Sequence, residues 1–159
     1  RHFPQHGDTS FSIDGRLLII DGVGPANIEA VRNYQDFAQQ YRDQLNHAPW
    51  ASLVRLRGEP FLVPEAKALL VDIINYASTQ KLVATAVIFE DVSHTNTVEF
   101  FWNSIYAQTT LPHAFFTNEK DARTWLQERI TDQQGVIVST TINTIINSES
   151  TQVTIAFLK

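Results

Sequence analysis

The chain has no cysteine and no methionine. Without cysteine there is no disulfide framework, no thiolate zinc site and no cysteine nucleophile, and the composition is compatible with the cytosol. Methionine is missing even from the first position, where Arg1 stands, so a trimmed or partial chain is expected. No apolar run approaches the roughly 18 residues of a membrane span. The first ten residues lack the apolar stretch of a secretory signal. A cytoplasmic location of bacterial type is therefore expected. Basic residues are also scarce: 12 Lys and Arg against 17 Asp and Glu leave a net charge of −5. Nucleic-acid binding relies on Lys and Arg neutralising phosphates, so nucleic acid is not an expected partner.

What remains is the composition of one globular domain, 159 residues with 43% hydrophobic and 18% charged side chains. Three apolar runs, Leu17-Leu18-Ile19-Ile20, Ser52-Leu53-Val54-Arg55-Leu56 and Ala84-Thr85-Ala86-Val87-Ile88-Phe89, read as strands. Each precedes a segment of helical period. Phe11-Ser12-Ile13, the Asp14-Gly15 turn and Arg16 to Asp21 predict an opening hairpin. Asn27 is placed to cap a first helix whose stripe is Ile28, Val31, Tyr34, Ala38, Tyr41 and Leu45. Gly58-Glu59-Pro60 should end the second strand, and Pro64 suits the first turn of the next helix. Asn96 with Glu99 resembles the start of a third helix; Ala114-Phe115-Phe116 reads as a short edge strand, and Thr117 or Asn118 starts a last helix through Ile130. The expectation is an α/β domain over residues 1–131: a small, open, mostly parallel sheet of four to five strands with helices packed on it. Residues 132–159 change character. They are rich in Thr, Ile, Val and Asn, and the alternation of Val153, Ile155 and Phe157 predicts a C-terminal β-hairpin extension.

Candidate sites are few. Asp21, Glu59, Glu90 and Asp91 follow strand ends, where ligands of open α/β sheets gather. An acidic metal or receiver-like pocket is the pointed reading and solvated carboxylates the plain one; the last strand offers no Lys for receiver chemistry. Of the histidines, only His2 and His6 have the i, i+4 spacing of a helical zinc site, and they stand in the leading tail. No Gly-x-Ser-x-Gly elbow is present. Gly22-Val23-Gly24 lacks the third glycine and the lysine of a phosphate loop, leaving a strand-to-helix turn. No catalytic residue, metal ligand or cofactor is assigned. The aromatic load on the last two helices is heavier: Phe100, Phe101, Trp102, Tyr106, Phe115, Phe116 and Trp125. Phe100 and Phe101 are adjacent and cannot both face inward. Either they are core and ordinary surface, or they line an apolar groove for a partner, for self-association or for a lipid-like ligand.

Several turn and packing motifs recur in a telling order: His6-Gly7 before Phe11-Ser12-Ile13-Asp14-Gly15, Gly24-Pro25-Ala26-Asn27, Pro49-Trp50-Ala51, Arg57-Gly58, Pro64-Glu65-Ala66, and Phe115-Phe116 before Asp121-Ala122-Arg123-Thr124-Trp125-Leu126. Together they resemble the bacterial STAS-like proteins related to anti-sigma-factor antagonists, over about Gly7 to Ile130. The resemblance implies a four- or five-stranded sheet with helices on one side, and regulation through protein partners rather than catalysis. It also implies a phosphorylated Ser after the central strand, at a helix start where phosphate is favoured. No Ser, Thr or Tyr lies between Ser52 and Tyr76, so that switch is expected to be absent. Glu59 would then serve as a fixed negative charge. The expected contact surface comprises Glu59, Phe61, Asp91, Phe100, Phe101, Trp102 and Tyr106. A non-catalytic interaction module, homodimeric and with an unidentified protein partner, is the first expectation. A carrier or sensor of a small apolar ligand is the second.

Overall fold

The structure, a computed structural model, describes residues 8–158, with the side chains of 9–148. The His2–His6 pair and the His6-Gly7 start lie outside the described residues. Strands β1 (Asp8–Asp14) and β2 (Leu17–Ala26) form the opening hairpin, turned through Gly15 in the left-handed region. Helix α1 (Ile28–Leu45), strand β3 (Trp50–Leu62), helix α2 (Pro64–Thr79), strand β4 (Leu82–Phe89), helix α3 (Thr95–Tyr106), strand β5 (His113–Phe116) and helix α4 (Glu119–Leu158) follow. The five strands lie side by side in chain order. The β2–β3, β3–β4 and β4–β5 pairs are parallel and β1–β2 antiparallel. The sheet is thus mixed rather than mostly parallel, because the opening hairpin supplies an antiparallel edge strand.

Crossovers of one hand between strands in sequential order place α1, α2 and α3 on one face. Leu18, Ile20, Val54 and Val87 meet those helices, while their strand neighbours Leu17, Ile19, Leu53 and Ala86 face the other way. That second face is covered by Ala122, Leu126 and Ile130 of α4, so helices pack on both sides and not on one. Local chemistry explains most boundaries. Asn27 Oδ1 accepts the Ala30 N–H at 2.9 Å. Asn118 Oδ1 accepts the Asp121 N–H at 2.9 Å at the head of α4. Arg16 donates to the carbonyls of Leu45, Ala48 (2.6 Å) and Pro49 (3.1 Å), tying down the C-terminal end of α1.

Three local expectations are corrected. The second long strand does not end at Gly58. It continues to Leu62 through a register shift opposite Gly24 and Ala26, with Gly58 at φ +75. At α3 the residue before the helix is His94, in the left-handed region and without a side-chain cap, and Asn96 lies exposed inside the helix. The third concerns residues 132–158, which are not a β-hairpin but the continuation of α4. No proline follows Pro112 to stop the helix. The hydroxyls of Thr141 and Thr144 turn back to the carbonyls of Ile137 and Thr140, both at 3.0 Å, so these β-branched residues are accommodated. Strand preference reflects fit to a pleated, half-buried surface, and this segment has no sheet neighbour. Buried side chains of α4 end at Ile130; from Thr131 to Ser148 every side chain is exposed.

Candidate functional site

Between the sheet and α1–α3 the side chains leave a cavity of about 130 Å³. Its wall is apolar, formed by Leu18, Ile20, Val54 and Leu56 from the sheet and by Val31, Leu70, Ile74 and Trp102 from the helices. The mouth is at the C-terminal ends of β2 and β3, where Val23, Gly24, Ala26 and Phe61 line it and are only partly buried or exposed. Gly24 keeps that rim tight: a Cβ there would stand 2.3 Å from the carbonyl oxygen of Glu59.

An aromatic row runs beside the cavity. Phe61 meets Phe101 edge-on at 5.2 Å, Phe101 meets Trp102 at 6.1 Å, and Trp102 meets Tyr106 at 6.3 Å. Trp102 is buried and its indole N–H donates to the Pro60 carbonyl at 2.7 Å, fastening α3 to the extension of β3. Lys67 lies over the Phe101 ring at 5.3 Å and donates to Ser104 Oγ at 2.7 Å.

The cavity also has a polar part, away from the mouth. Ser52 and Thr85, register partners on β3 and β4, are both buried, with Ser52 Oγ donating to Thr85 Oγ1 at 2.8 Å. Tyr106 stands beside Thr85; burial raises its phenol well above the usual range, interaction with the Thr85 hydroxyl opposes the rise, and nearby Tyr34 adds to it. Burial raises Tyr34 as well, against the opposing charge of Arg42. Arg42 is 2% exposed. Its Nη2 donates to Gln35 Oε1 at 3.2 Å, and its buried Nε has no hydrogen-bond partner among the described residues. Among the described residues lining the cavity, Arg42 is the one that carries a charge.

Of the residues expected from sequence, the fold brings Phe61, Phe101, Trp102 and Tyr106 together. Phe100 points away and is 78% exposed. Glu59 and Asp91 are exposed, and Glu59 lies within β3; the acid in the first turn of α2 is Glu65. Asp21 is engaged by Arg55, whose Nε and Nη2 reach its two carboxylate oxygens at 2.6 and 2.8 Å. Arg55 also holds Glu119 at 2.7 Å, and Arg123 joins Glu119 (2.8 Å) to Asp14 (2.7 Å), a chain of charges that seats α4 on the sheet. No group of three or more His, Asp and Glu side chains able to hold a metal occurs among the described residues. Among them no helix is long and apolar enough to cross a membrane.

Sequence reasoning missed Arg42, Tyr34 as a wall residue, and the Ser52–Thr85 pair. The signal for Arg42 was present: it falls four residues after Ala38, on the stripe of α1 that is otherwise apolar. Ser52 and Thr85 were the hydroxyls inside largely apolar strand runs.

A five-stranded sheet wound in chain order, with three crossover helices on one face and a fourth helix behind, defines a small α/β module with an internal cavity. No family model and no curated protein matches the chain. Among solved structures it is similar to an uncharacterized protein of the DUF3478 family with a SpoIIAA-like fold from Shewanella loihica PV-4. The TM-score is 0.55 at 14% identity, covering 79% of this chain and 98% of that one. The fold is SpoIIAA-like, as the STAS-like resemblance implied.

Proposed function

We propose that this protein is a non-catalytic STAS-like module that houses a small apolar ligand between its sheet and α1–α3, acting as its carrier or sensor. The cavity carries the reading. Well-packed interiors leave few voids larger than a water molecule, and an apolar space of this order holds a benzene-sized guest. The aromatic row on α3 lies against Phe61 at the mouth, so occupancy there would be felt at the surface that partners meet. No hydroxyl stands between Ser52 and Tyr76 to receive phosphate, so ligand rather than a kinase is the input available to this region. A cytoplasmic setting fits the cysteine-free composition.

The test is native mass spectrometry of the purified protein, followed by titration with benzene under NMR observation. Either a retained mass or saturable shifts at Val31, Val54 and Trp102 supports the reading. An empty protein that also fails to bind benzene sinks it.

A second reading, self-association as a homodimer that presents a protein partner with a shared surface, is favoured by one observation. Val136, Ile137, Val138, Ile142, Ile145 and Ile146 are all exposed on α4, and Phe100 on α3. Exposed apolar patches of this kind mark interaction surfaces. Sedimentation equilibrium of the full chain and of Ile142→Asp separates the cases: a monomer at all concentrations removes the dimer.

A further inference from the structure

We infer that the ligand of the internal cavity is a small carboxylic acid, its apolar body among the sheet and helix side chains and its carboxylate on the guanidinium of Arg42. This rests on the ligand-holding reading above and adds the chemical class. A guanidinium is an expensive group to bury, and buried charges are ordinarily paired. Arg42 is only 2% exposed, yet among the described residues no carboxylate pairs with it and its one hydrogen-bond partner is the neutral amide of Gln35. Its position in the last turn of α1 gives some relief from the helix C-terminus. That relief leaves the Nε–H without an acceptor.

The shape and charge of the site select the anion. Nε–H and Nη2 form the edge of the guanidinium that takes a carboxylate through two parallel bonds, so a carboxylate there would accept from the unpartnered Nε–H and share Nη2 with Gln35 or replace it. One cation balances one negative charge. A phosphate ester, doubly charged near neutrality, would bring a second charge into a cavity whose lining holds no second cation. The remaining polar groups are hydroxyls, Ser52, whose O–H is already given to Thr85, and Thr85 together with the phenols of Tyr34 and Tyr106, all uncharged. The rest of the wall is apolar. A molecule of benzene-ring size bearing one carboxylate therefore matches both parts of the site.

The probes are benzoate and its neutral isostere nitrobenzene, titrated into the full chain and into Arg42→Met, with the Arg42 Nε–H resonance followed in the wild type. The expected result is that benzoate binds the wild type roughly tenfold or more tighter than nitrobenzene, as a charge-assisted pair should, and moves the Nε–H resonance downfield. In Arg42→Met that preference disappears while nitrobenzene still binds. Equal affinities in the wild type, or an unmoved Nε–H resonance on benzoate saturation, overturn the assignment to Arg42 and point to a bound water there, while leaving the apolar cavity reading intact. Failure of both probes to bind either protein overturns both. Should Arg42→Met not fold, the wild-type resonance and the ratio of the two affinities decide alone.

Discussion

Gly24 and Glu59 touch backbone to backbone across the β2–β3 register shift: a Cβ on Gly24 would lie 2.3 Å from the Glu59 carbonyl oxygen and 2.6 Å from the Pro60 Cα. Neither contact is with the flexible end of a side chain, so nothing there can yield cheaply. Gly24→Ala should push the extension of β3 away from β2 and cost about 3 kcal/mol, the upper end of overpacking penalties. The same shift would displace Phe61 at the cavity mouth. Denaturant unfolding gives the stability change, and a variant as stable as the wild type would show that the two strands do not meet this closely.

Val54 faces the cavity from the middle of β3. If the space is free to accept atoms, Val54→Ile adds one methylene to it and keeps the β-branched shape that strands favour. The expected gain is about 0.8 kcal/mol for the added group. In a filled core the same change would instead cost about 1–3 kcal/mol. The sign of the change in thermal midpoint is therefore a direct reading of whether the cavity is open, and benzene affinity should fall as stability rises.

Strand and helix order was legible in the sequence because each element carries its own period and its own punctuation: Asn27 caps α1, Pro64 opens α2, Asn118 caps α4. The continuation of the last helix beyond Ile130 was misread as a hairpin because Thr and Val report fit to a sheet face rather than backbone preference, and only the folded chain shows that no strand lies beside them. The site was half legible. Aromatic residues on α3 announced an apolar surface, but cavity formation depends on how far α1 stands from β3, which no local pattern records. Arg42 was a polar residue on an apolar stripe, and its burial without a carboxylate partner among the described residues shows only in the folded chain.

Glu119 holds two arginines at once: the hydrogen bond from Arg123 is the largest influence on its carboxyl, burial opposes it, and the hydrogen bond from Arg55 adds to the lowering, so the carboxyl lies below the ordinary range. A carboxyl lowered in the folded state favours folding above its unfolded value, and that contribution is lost as pH falls through the folded one. With the side chain 39% exposed, the contribution is small. Glu119→Gln should therefore cost no more than about 1 kcal/mol at neutral pH. The difference from wild type should shrink as the pH falls below the ordinary carboxylate range and through the lowered value of the folded state, where the native carboxyl is protonated as well. Urea midpoints of both proteins from pH 7 to pH 3 check this; parallel curves would mean that the charge chain Arg55–Glu119–Arg123 is not felt in solution.

Phe100 and Trp102, two residues apart on α3, should respond oppositely to substitution. Phe100 projects into solvent, so Phe100→Ser removes little buried surface and should change stability by no more than about 0.5 kcal/mol. Trp102 is enclosed, and Trp102→Phe deletes the donor that satisfies the Pro60 carbonyl at 2.7 Å. Leaving that acceptor unpaired in the interior should cost about 1–3 kcal/mol beyond the change in size. Because Pro60 belongs to the same extension of β3 that carries Phe61, the loss should also loosen the mouth and weaken retention of any guest. Phe100→Ser should instead reveal whether this face joins molecules: a fall in self-association at unchanged thermal midpoint assigns Phe100 to an interface, whereas unchanged self-association confines the role of α3 to the cavity beneath it.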